Sequence, residues 1–153
     1  MVNWTFNAWG GKYPELMEDT RIPLAMNREM ELPLFTPPGI VLEGGSIEVN
    51  GCGTVITTEA CLLNPPNRNP DLTREEVEAY LEAYLGAGHV IWLKQGGIAG
   101  DDTDGHVDDI VRFVNPTTVL CALEENEDDE NYAVLQENYE ILLSSTDQDG
   151  NPP

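Results

Sequence analysis

The sequence predicts a mixed α/β (α+β) fold that is built from repeated strand-strand-helix-strand units. Two strand-like runs surround Asn50-Gly51, which is a strong signal for a β-hairpin. A well-capped helical pattern follows in the stretch 71–88, and we expect a helix over 73–86 on the outside of the fold. The short apolar stretch "HVIWL" (89–93) then indicates a buried strand. The same order of elements begins again after residue 100, although few residues are identical between the copies.

The repeat divides the chain into three units of one partial domain, residues 1–153. We expect the end of one unit over about 1–38, a second unit over about 39–95 and an incomplete third unit over about 96–153. A strand should follow the last helix in this rhythm, and the sequence offers none. We therefore expect the chain to be the middle portion of a longer protein.

The first unit begins with "NWTFNAW" (3–9), whose alternating aromatic residues indicate a strand that is closed by Gly10 and Gly11. Residues 16–30 are expected to be partly helical, with Pro23 limiting how far a single helix can run.

In the second unit, the loop "NPPNRNP" (64–70) separates the predicted hairpin from the helix. Thr73 can cap this helix, and Glu76 completes a capping box three residues later. Gly86 and Gly88 then supply the stop signal. The apolar stripe of the helix consists of Val77, Leu81, Tyr84 and Leu85.

The third unit begins with "HVDDIVRFV" (106–114), which predicts a strand. A turn at Asn115-Pro116 and a second strand over 117–123 follow. We expect a helix over 129–144, on the outside of the fold, with acidic residues in its first turn where they suit the helix dipole. The remaining residues, 145–153, are expected to be frayed.

Composition favours a globular protein of the cytoplasm. The chain is 41% hydrophobic and has no apolar run near the roughly 20 residues that a membrane span needs. Its first residues lack the basic start and apolar core of a signal peptide. Cys52, Cys61 and Cys121 form no C-x-x-C pair, which favours reduced thiols.

Charge is the most unusual property of the composition, because seven basic residues oppose 28 acidic ones, for a net charge of −21. Such a surface repels nucleic acid and anionic membranes and attracts cations. Three explanations stay open: adaptation of a solvated surface to high salt, a cationic substrate, and a basic protein partner.

The stretch "GDDTDGHVDDIVRFV" (100–114) places five aspartates around one histidine. A calcium loop is excluded by spacing, because Gly105 as the turn glycine would put Gly100 and Val111 at the strongest ligand positions. A zinc site lacks support too, since His89 begins a buried strand and no thiol pair is near it in the sequence.

His106 and Asp108 are two residues apart, so in a strand they would project from the same face. Val107 would then be buried on the opposite face. Asp101 and Asp102 are expected to face solvent, and together with Asp104 to cap or brace the loop.

Several stretches together resemble the agmatine deiminases in sequence, order and spacing: "FNAWGG" (6–11), "LEGGSIEVNGCGTVITTEACLLN" (42–64), "NRNP" (67–70), "VIWL" (90–93) and "GDDTDGHVDDIVRFV" (100–114). These enzymes belong to the guanidino-modifying family that includes bacterial peptidylarginine deiminase. The resemblance covers nearly the whole chain. It implies a pentein-type five-bladed α/β propeller with strand-strand-helix-strand blades, of which this chain holds a partial set.

The resemblance also implies roles for individual residues. Glu43 would hydrogen-bond the catalytic imidazole of His106, the general acid/base, at about 2.6–3.2 Å or somewhat longer in an incomplete site. Asp108 would clasp the guanidinium of the substrate. Trp9 could line the substrate site, with packing as a buried anchor as the alternative. The glycines next to Glu43 are expected to be bulges that shape the cleft.

The family's nucleophile, a cysteine near the C-terminus, has no counterpart among the three cysteines, so we expect the chain alone to be inactive. The expected substrate is agmatine, a small cationic guanidino compound, with no cofactor and no metal. Alternatives are a peptidylarginine deiminase-like enzyme and a non-catalytic remnant or binding module. No nucleic acid or membrane partner is expected, and a homo-oligomer is possible because incomplete blades should expose apolar edges.

Overall fold

The computed structural model describes residues 1–64 and 68–152. The loop predicted over 64–70 therefore lies partly outside the described residues. The helical segments are α1 (Ala8–Gly11), which is a left-handed turn, and the helices α2 (Ile22–Met30), α3 (Glu59–Leu62), α4 (Arg74–Leu85) and α5 (Tyr132–Ser144). 3₁₀ turns, which have fewer residues per turn, cover Pro14–Arg21, Gly44–Ser46 and Val107–Asp109. The strands are β1 (Ile47–Val49), β2 (Thr54–Thr58), β3 (His89–Leu93), β4 (Val111–Asn115) and β5 (Thr118–Cys121).

Among the described residues, the strands form one three-stranded and one two-stranded sheet. β1 and β2 pair antiparallel, and β3 joins β2 in parallel after the chain has crossed over through α4. All five residues of β2 are buried, as expected of a central strand that is covered on both faces. β4 and β5 form an antiparallel pair with an irregularity between Phe113 and Asn115.

The predicted hairpin is confirmed. The side chain of Asn50 accepts hydrogen bonds from the backbone N–H groups of Cys52 (2.8 Å) and Thr54 (3.0 Å), which closes the turn. Gly51 has φ +74°, a left-handed conformation that glycine adopts without steric cost.

The predicted helix is confirmed as α4, with its capping box. The Thr73 hydroxyl accepts a hydrogen bond from the Glu76 N–H, and the Glu76 carboxylate accepts one from the Thr73 N–H. Gly86 ends the helix in a left-handed conformation with φ +69°. Val77 and Leu81 are fully buried, so the apolar stripe attaches the helix to the core.

The strand predicted over 3–9 is wrong, since this segment contains a single isolated bridge, Thr5 with Val41, and Val2 just before it forms another with Phe35. The Asn7 side chain accepts a hydrogen bond from the Gly10 N–H and starts a turn. Four consecutive residues, 8–11, then have positive φ, so the chain cannot continue as a strand.

The segment predicted to be partly helical is helical throughout its length, with the 3₁₀ turn Pro14–Arg21 leading directly into α2. Pro23 does not limit this helix. It lies in the first turn of α2, where a missing N–H costs nothing.

The strand predicted to begin at His106 begins five residues later. His106 instead caps the 3₁₀ turn Val107–Asp109, and β4 starts at Val111. The final helix starts at Tyr132, so the acidic residues precede it and none lies in its first turn. In two short turns before the helix, the Glu124 and Asp129 carboxylates accept hydrogen bonds from the backbone N–H groups of Asn126 and Asn131. The chain over 124–131 therefore forms turns and not a first part of the helix.

The segment expected to be frayed is folded against the hairpin. Gln148 receives hydrogen bonds from the Asn50 amide (2.9 Å) and the Thr54 hydroxyl (2.6 Å). The Asp147 carboxylate accepts from the backbone N–H groups of Asp149 and Asn151, both at 2.9 Å. Pro153 lies outside the described residues.

The core consists of two apolar clusters on opposite faces of the three-stranded sheet. Val55, Val77 and Leu81 belong to the cluster beneath α4, and Ile56 and Val107 belong to the cluster that includes β4 and α5. Adjacent residues of β2 thus contribute to different clusters, as the period of a strand requires. Within the described ranges no helix has the length and apolar character to cross a bilayer.

The 14–35 segment contains most of the exposed large hydrophobic residues among those described, with Ile22, Met26, Met30 and Phe35 each about half exposed. No other described element covers this face. Apolar patches of this kind commonly contact other protein surfaces.

Candidate active site

Glu43 immediately precedes the Gly44–Ser46 turn that leads into β1, and only 9% of it is exposed. Its carbonyl oxygen accepts hydrogen bonds from the Ser46 hydroxyl (2.6 Å) and the Ser46 N–H (3.1 Å). Thr57 of β2 in turn donates to the Ser46 carbonyl at 2.7 Å. These hydrogen bonds fix the backbone that carries the Glu43 carboxylate, next to the start of β1.

The partner of Glu43 is Arg68, whose side chain is completely buried. Nε of Arg68 lies 2.9 Å from Oε1 of Glu43 and donates a hydrogen bond to Oε2 at 3.1 Å. Nη1 donates to Oδ2 of Asp104 at 2.9 Å, and Nη2 donates to the Thr103 carbonyl at 2.7 Å. Burial alone would lower the pKa of Arg68, but its ion pair with Glu43 outweighs burial and holds the pKa above its usual value.

The loop before His106 is braced by Asp101. Its carboxylate accepts hydrogen bonds from the N–H and hydroxyl of Thr103 and from the N–H of Gly105. Burial would raise the pKa of Asp101, but these hydrogen bonds outweigh it and lower the pKa. The stabilisation that the Asp101 carboxylate gives to the loop is therefore fully present above about pH 4. It is lost as the pH falls through the lowered pKa that Asp101 has in the folded state.

The expectation that Asp101 and Asp102 face solvent holds only for Asp102, since Asp101 is half-buried beneath its own loop. Asp104 has φ +67°, a conformation that is uncommon for a residue other than glycine. Its carboxylate pairs with both Arg68 and Lys12, which keeps it in that conformation.

The loop is anchored to the sheet on both sides of Gly105. The Thr58 hydroxyl, at the end of β2, donates to the Gly105 carbonyl at 2.7 Å. Gly96 packs directly against the same backbone, since a Cβ at Gly96 would lie 2.0 Å from the Gly105 carbonyl oxygen. This close approach delivers His106 to the carboxyl end of β2, next to Glu43.

His106 is 6% exposed, and its two ring nitrogens face two carboxylates. Nε2 lies 3.8 Å from Oε2 of Glu43, and Nδ1 lies 4.0 Å from Oδ1 of Asp108. The first distance is longer than the expected hydrogen bond of 2.6–3.2 Å, and Nε2 has no hydrogen-bond partner among the described residues. The side chains of Glu43, His106 and Asp108 nevertheless lie together and form the His106 cluster. Asp108 is its most exposed member, with 34% of the side chain accessible.

His106 and Asp108 lie side by side although they do not belong to a strand. The 3₁₀ turn that carries Asp108 folds it back beside the imidazole, and Val107 is fully buried in the core, as the sequence predicts. Arg112, one turn of chain further on, lies 3.8 Å from Asp108 and 3.4 Å from Glu48.

Gly45 forms the floor of the cluster. A Cβ at this position would lie 2.5 Å from Nδ1 of His106 and 2.9 Å from Oδ1 of Asp108. The bulge expected at these glycines is instead a tight turn, and its function is to let both side chains approach the backbone. Gly44 meets nothing within 4 Å and has no such role.

Trp9 is half-buried and packs edge-to-face against Phe6 (5.1 Å) and Tyr13 (5.8 Å). The same segment contacts the aspartate loop, because the Tyr13 hydroxyl donates to Asp102 at 2.7 Å and Lys12 donates to the Asp102 carbonyl at 2.8 Å. The turn around Trp9 is thus attached to the loop that carries His106.

Glu43, Cys61 and His106 each place one possible metal donor within 4.8 Å of the others. Burial raises the pKa of the Cys61 thiol to about 12, so a metal would first have to displace its proton. The guanidinium of Arg68 already neutralises Glu43 at 2.9 Å. The donor set therefore suits a charge-balanced acid–base cluster better than a divalent cation.

Arg68, Lys12 and Tyr13 were not identified as site residues from the sequence. Arg68 is separated from Glu43 by 25 residues and from Asp104 by 36, so no local pattern connects them. The sequence does offer one signal that could have pointed to Arg68. The chain has only seven basic residues, and Arg68 is the one that lies inside the short Pro/Asn loop over 64–70.

The cysteines differ in exposure, and this predicts their reactivity. At pH 8, iodoacetamide should modify exposed Cys52 rapidly and fully buried Cys61 only after unfolding, because the pKa of Cys61 is raised to about 12. Cys121, whose pKa is raised by burial, should react at an intermediate rate. Mass spectrometry of digested samples measures each site. Modification of Cys61 in the folded chain as fast as Cys52 would contradict the structure.

Gly45→Ala should disturb the cluster, because the added methyl group overlaps His106 and Asp108. We expect a loss of about 1–3 kcal/mol in the free energy of unfolding, measured by urea denaturation. The matched control is Gly44→Ala, which meets open space and should change stability by no more than about 0.5 kcal/mol. Equal effects of the two substitutions would show that Gly45 does not support the cluster.

Comparison with known proteins identifies the family. The model of the Porphyromonas-type peptidyl-arginine deiminases matches residues 1–153. The agmatine deiminases of Pseudomonas fluorescens (strain SBW25) and Stutzerimonas stutzeri (strain A1501) are 46% and 44% identical to the chain over 153 residues, which is 97% of this chain and 41% of each relative.

Solved structures give the same result. The agmatine deiminase of Enterococcus faecalis superposes with a TM-score of 0.89 at 38% identity, over 99% of this chain and 42% of that structure. The chain thus spans about two-fifths of the relatives that it matches and forms a partial set of blades of their α/β propeller. The family model covers the whole sequence, and the solved relatives share its fold, so the chain belongs to the family of Porphyromonas-type peptidyl-arginine deiminases.

Proposed function

We propose that this chain supplies the acid–base and substrate-clasping part of an enzyme that hydrolyses agmatine to N-carbamoylputrescine and ammonia. The observation that carries the proposal is the His106 imidazole, buried between Glu43 and the more exposed Asp108. Relatives and solved structures to which the chain is 38–44% identical are named agmatine deiminases.

The chemistry requires this arrangement. A guanidinium is a resonance-stabilised cation, so its carbon is a poor electrophile. Asp108 presents a carboxylate that can accept two parallel N–H groups and fix the plane of the guanidinium. His106 is within reach of the same group and can donate the proton that ammonia needs to leave. Glu43 places a carboxylate 3.8 Å from Nε2 of His106 and helps to orient the imidazole for this transfer.

The covalent step that the family resemblance implies uses a cysteine thiolate. The thiolate sulfur bonds to the guanidino carbon, the C–N bond breaks, and ammonia leaves with a proton from His106. Water then adds to the carbon of the resulting S-alkylthiouronium intermediate, the C–S bond breaks, and N-carbamoylputrescine and the thiol are released. Cys61 is buried with a pKa of about 12, and Cys121 has a raised pKa, so neither suits this role. We propose that the chain by itself binds the substrate and does not turn it over.

Agmatine suits the local charge better than a peptide with a C-terminal arginine. Agmatine carries two positive charges, and the loop around His106 contains five aspartates. The carboxylate of a terminal arginine would need a cation, whereas Arg68 and Lys12 already pair with Glu43 and Asp104. Repulsion by the acidic loop therefore disfavours the peptide substrate.

A reducing, cytoplasmic setting and self-association belong to the same proposal. The three cysteines are free thiols. Half-exposed apolar residues of the 14–35 segment, such as Met26 and Phe35, offer a surface that a second copy can cover.

Agmatine binding tests the proposal. Isothermal titration calorimetry should show agmatine binding, and Asp108→Asn should weaken it about tenfold or more, because a charge-assisted pair contributes about 1.5–3 kcal/mol. Asp109→Asn, which removes a neighbouring exposed carboxylate, is the matched control and should have a much smaller effect. Putrescine, which lacks the guanidino group, should bind more weakly than agmatine to the unsubstituted chain.

Ammonia release completes this test. The chain alone should not release ammonia from agmatine at about 1 per second or faster, a rate typical of enzymes. Turnover at that rate would show that one of the three cysteines is the nucleophile. Absence of agmatine binding, or equal effects of the two aspartate substitutions, would favour a binding module for another ligand.

A further inference from the structure

Arg68 connects three parts of the chain that are distant in sequence. Its guanidinium contacts Glu43 before β1, and Thr103 and Asp104 in the loop that ends at His106. The contacts use all three nitrogens, at distances from 2.7 to 3.1 Å. No other described cation bridges the Glu43 backbone segment and this loop.

The contact geometry requires arginine. Its planar fork presents N–H groups in fixed directions, and here Nε serves the Glu43 carboxylate while Nη1 and Nη2 serve the loop. A lysine would place one compact ammonium in this space and could not hold both segments in the same orientation. Transferring a guanidinium from water into the protein interior costs free energy. The hydrogen bonds and ion pairs of Arg68 offset that cost, so the folded state depends on them.

A second cation supports the loop from outside. Lys12 pairs with Asp104 on the side away from Arg68, and Asp104 keeps its left-handed backbone between the two cations. The chain of charges therefore runs from Lys12 at the surface through Asp104 and Arg68 to Glu43, which lies 3.8 Å from the imidazole of His106.

We propose that Arg68 is a positioning residue for His106, acting through Glu43 on one side and through Asp104 on the other. It sets the place of the Glu43 carboxylate that faces Nε2 of His106, and it holds the loop whose end carries the imidazole. Its importance for catalysis rests on the proposed function, whereas the positioning itself is a property of this chain.

The chain contains only two histidines, which makes the test direct. The ring nitrogen and carbon-bound proton signals of His106 and His89 can be followed by NMR at fixed pH and assigned with His89→Gln. His89 contacts the Thr146 carbonyl at 2.6 Å and pairs with Thr54 at the start of β2, whereas the loop that Arg68 holds meets Thr58 at the other end of β2. His89 therefore serves as the internal reference. Arg68→Lys should move the His106 signals while the His89 signals stay in place.

Arg74→Lys is the matched control for this substitution. Arg74 also pairs with a carboxylate, Glu59, and packs over Trp92, and its contacts with described residues do not include the loop over 101–105. Its replacement should leave the His106 signals unchanged. Thermal melting of both variants shows whether each one is folded, and so separates loss of folding from loss of positioning. If Arg68→Lys is folded and its His106 signals are displaced, a positive charge at position 68 is not enough to position His106.

Asp104→Asn provides a second route if Arg68→Lys does not fold. It weakens the loop contact of Arg68 and leaves the Glu43 contact in place, so the His106 signals should move in the same direction and less far. Asp102→Asn removes the same charge from the same loop and should have little effect, because within the described part of the chain its carboxylate contacts only the Tyr13 hydroxyl. Equal shifts from the two aspartate variants would indicate general loss of charge and overturn the proposal.

Agmatine binding to the same samples separates this inference from the proposed function. His106 signals in Arg68→Lys that coincide with those of the unsubstituted chain would overturn the positioning role, even if the unsubstituted chain binds agmatine. Displaced His106 signals in a chain that does not bind agmatine would support positioning and contradict the proposed substrate.

Discussion

The burial of one guanidinium among carboxylates is the constraint on which the rest of the site depends. A charge removed from water is tolerated only when it is paired and hydrogen-bonded. Arg68 meets this condition by drawing together the backbone before β1 and the loop over 101–105. Because His106 follows that loop directly, satisfying Arg68 also brings the imidazole to the end of β2. The ion-pair network of Arg68 and the His106 cluster are thus parts of one connected structure.

The acidic composition explains why so many hydrogen bonds and ion pairs hold the loop around His106 in place. Five aspartates in one loop repel each other, and the chain has only seven basic residues to oppose them. Three of the seven, Lys12, Arg68 and Arg112, contact carboxylates in or beside the cluster. Asp101 uses backbone N–H groups instead of a cation. Scarce positive charge is therefore concentrated where the negative charge must be held in a fixed geometry.

Local signals in the sequence predicted local structure well. The Asn50-Gly51 hairpin and the Thr73 capping box depend on residues that are a few positions apart, and the structure confirms both. The strand over 3–9 was wrong because the Asn7 side chain and a run of left-handed residues turn the chain, which alternation of aromatic residues does not reveal. The strand at His106 was wrong for a similar reason, since the loop contacts decide where β4 can begin.

The candidate site shows the same limit. Glu43, His106 and Asp108 were identified through motifs, and the structure brings them together. Arg68 was missed because its role consists entirely of long-range contacts, and a buried ion pair leaves no periodic pattern in the sequence. The approach of Gly45 to the imidazole belongs to the same class, because only the folded backbone shows why a Cβ does not fit there.

A double-mutant cycle between Arg68 and Glu43 tests the account most directly, with urea denaturation of the unsubstituted chain, Arg68→Gln, Glu43→Gln and the double variant. Each single change leaves a buried charge without its partner, so we expect each to cost about 3 kcal/mol or more. The double variant should cost clearly less than the sum, with a coupling energy of about 2–3 kcal/mol. Costs that add within about 0.5 kcal/mol would contradict the claim that this pair organises the site.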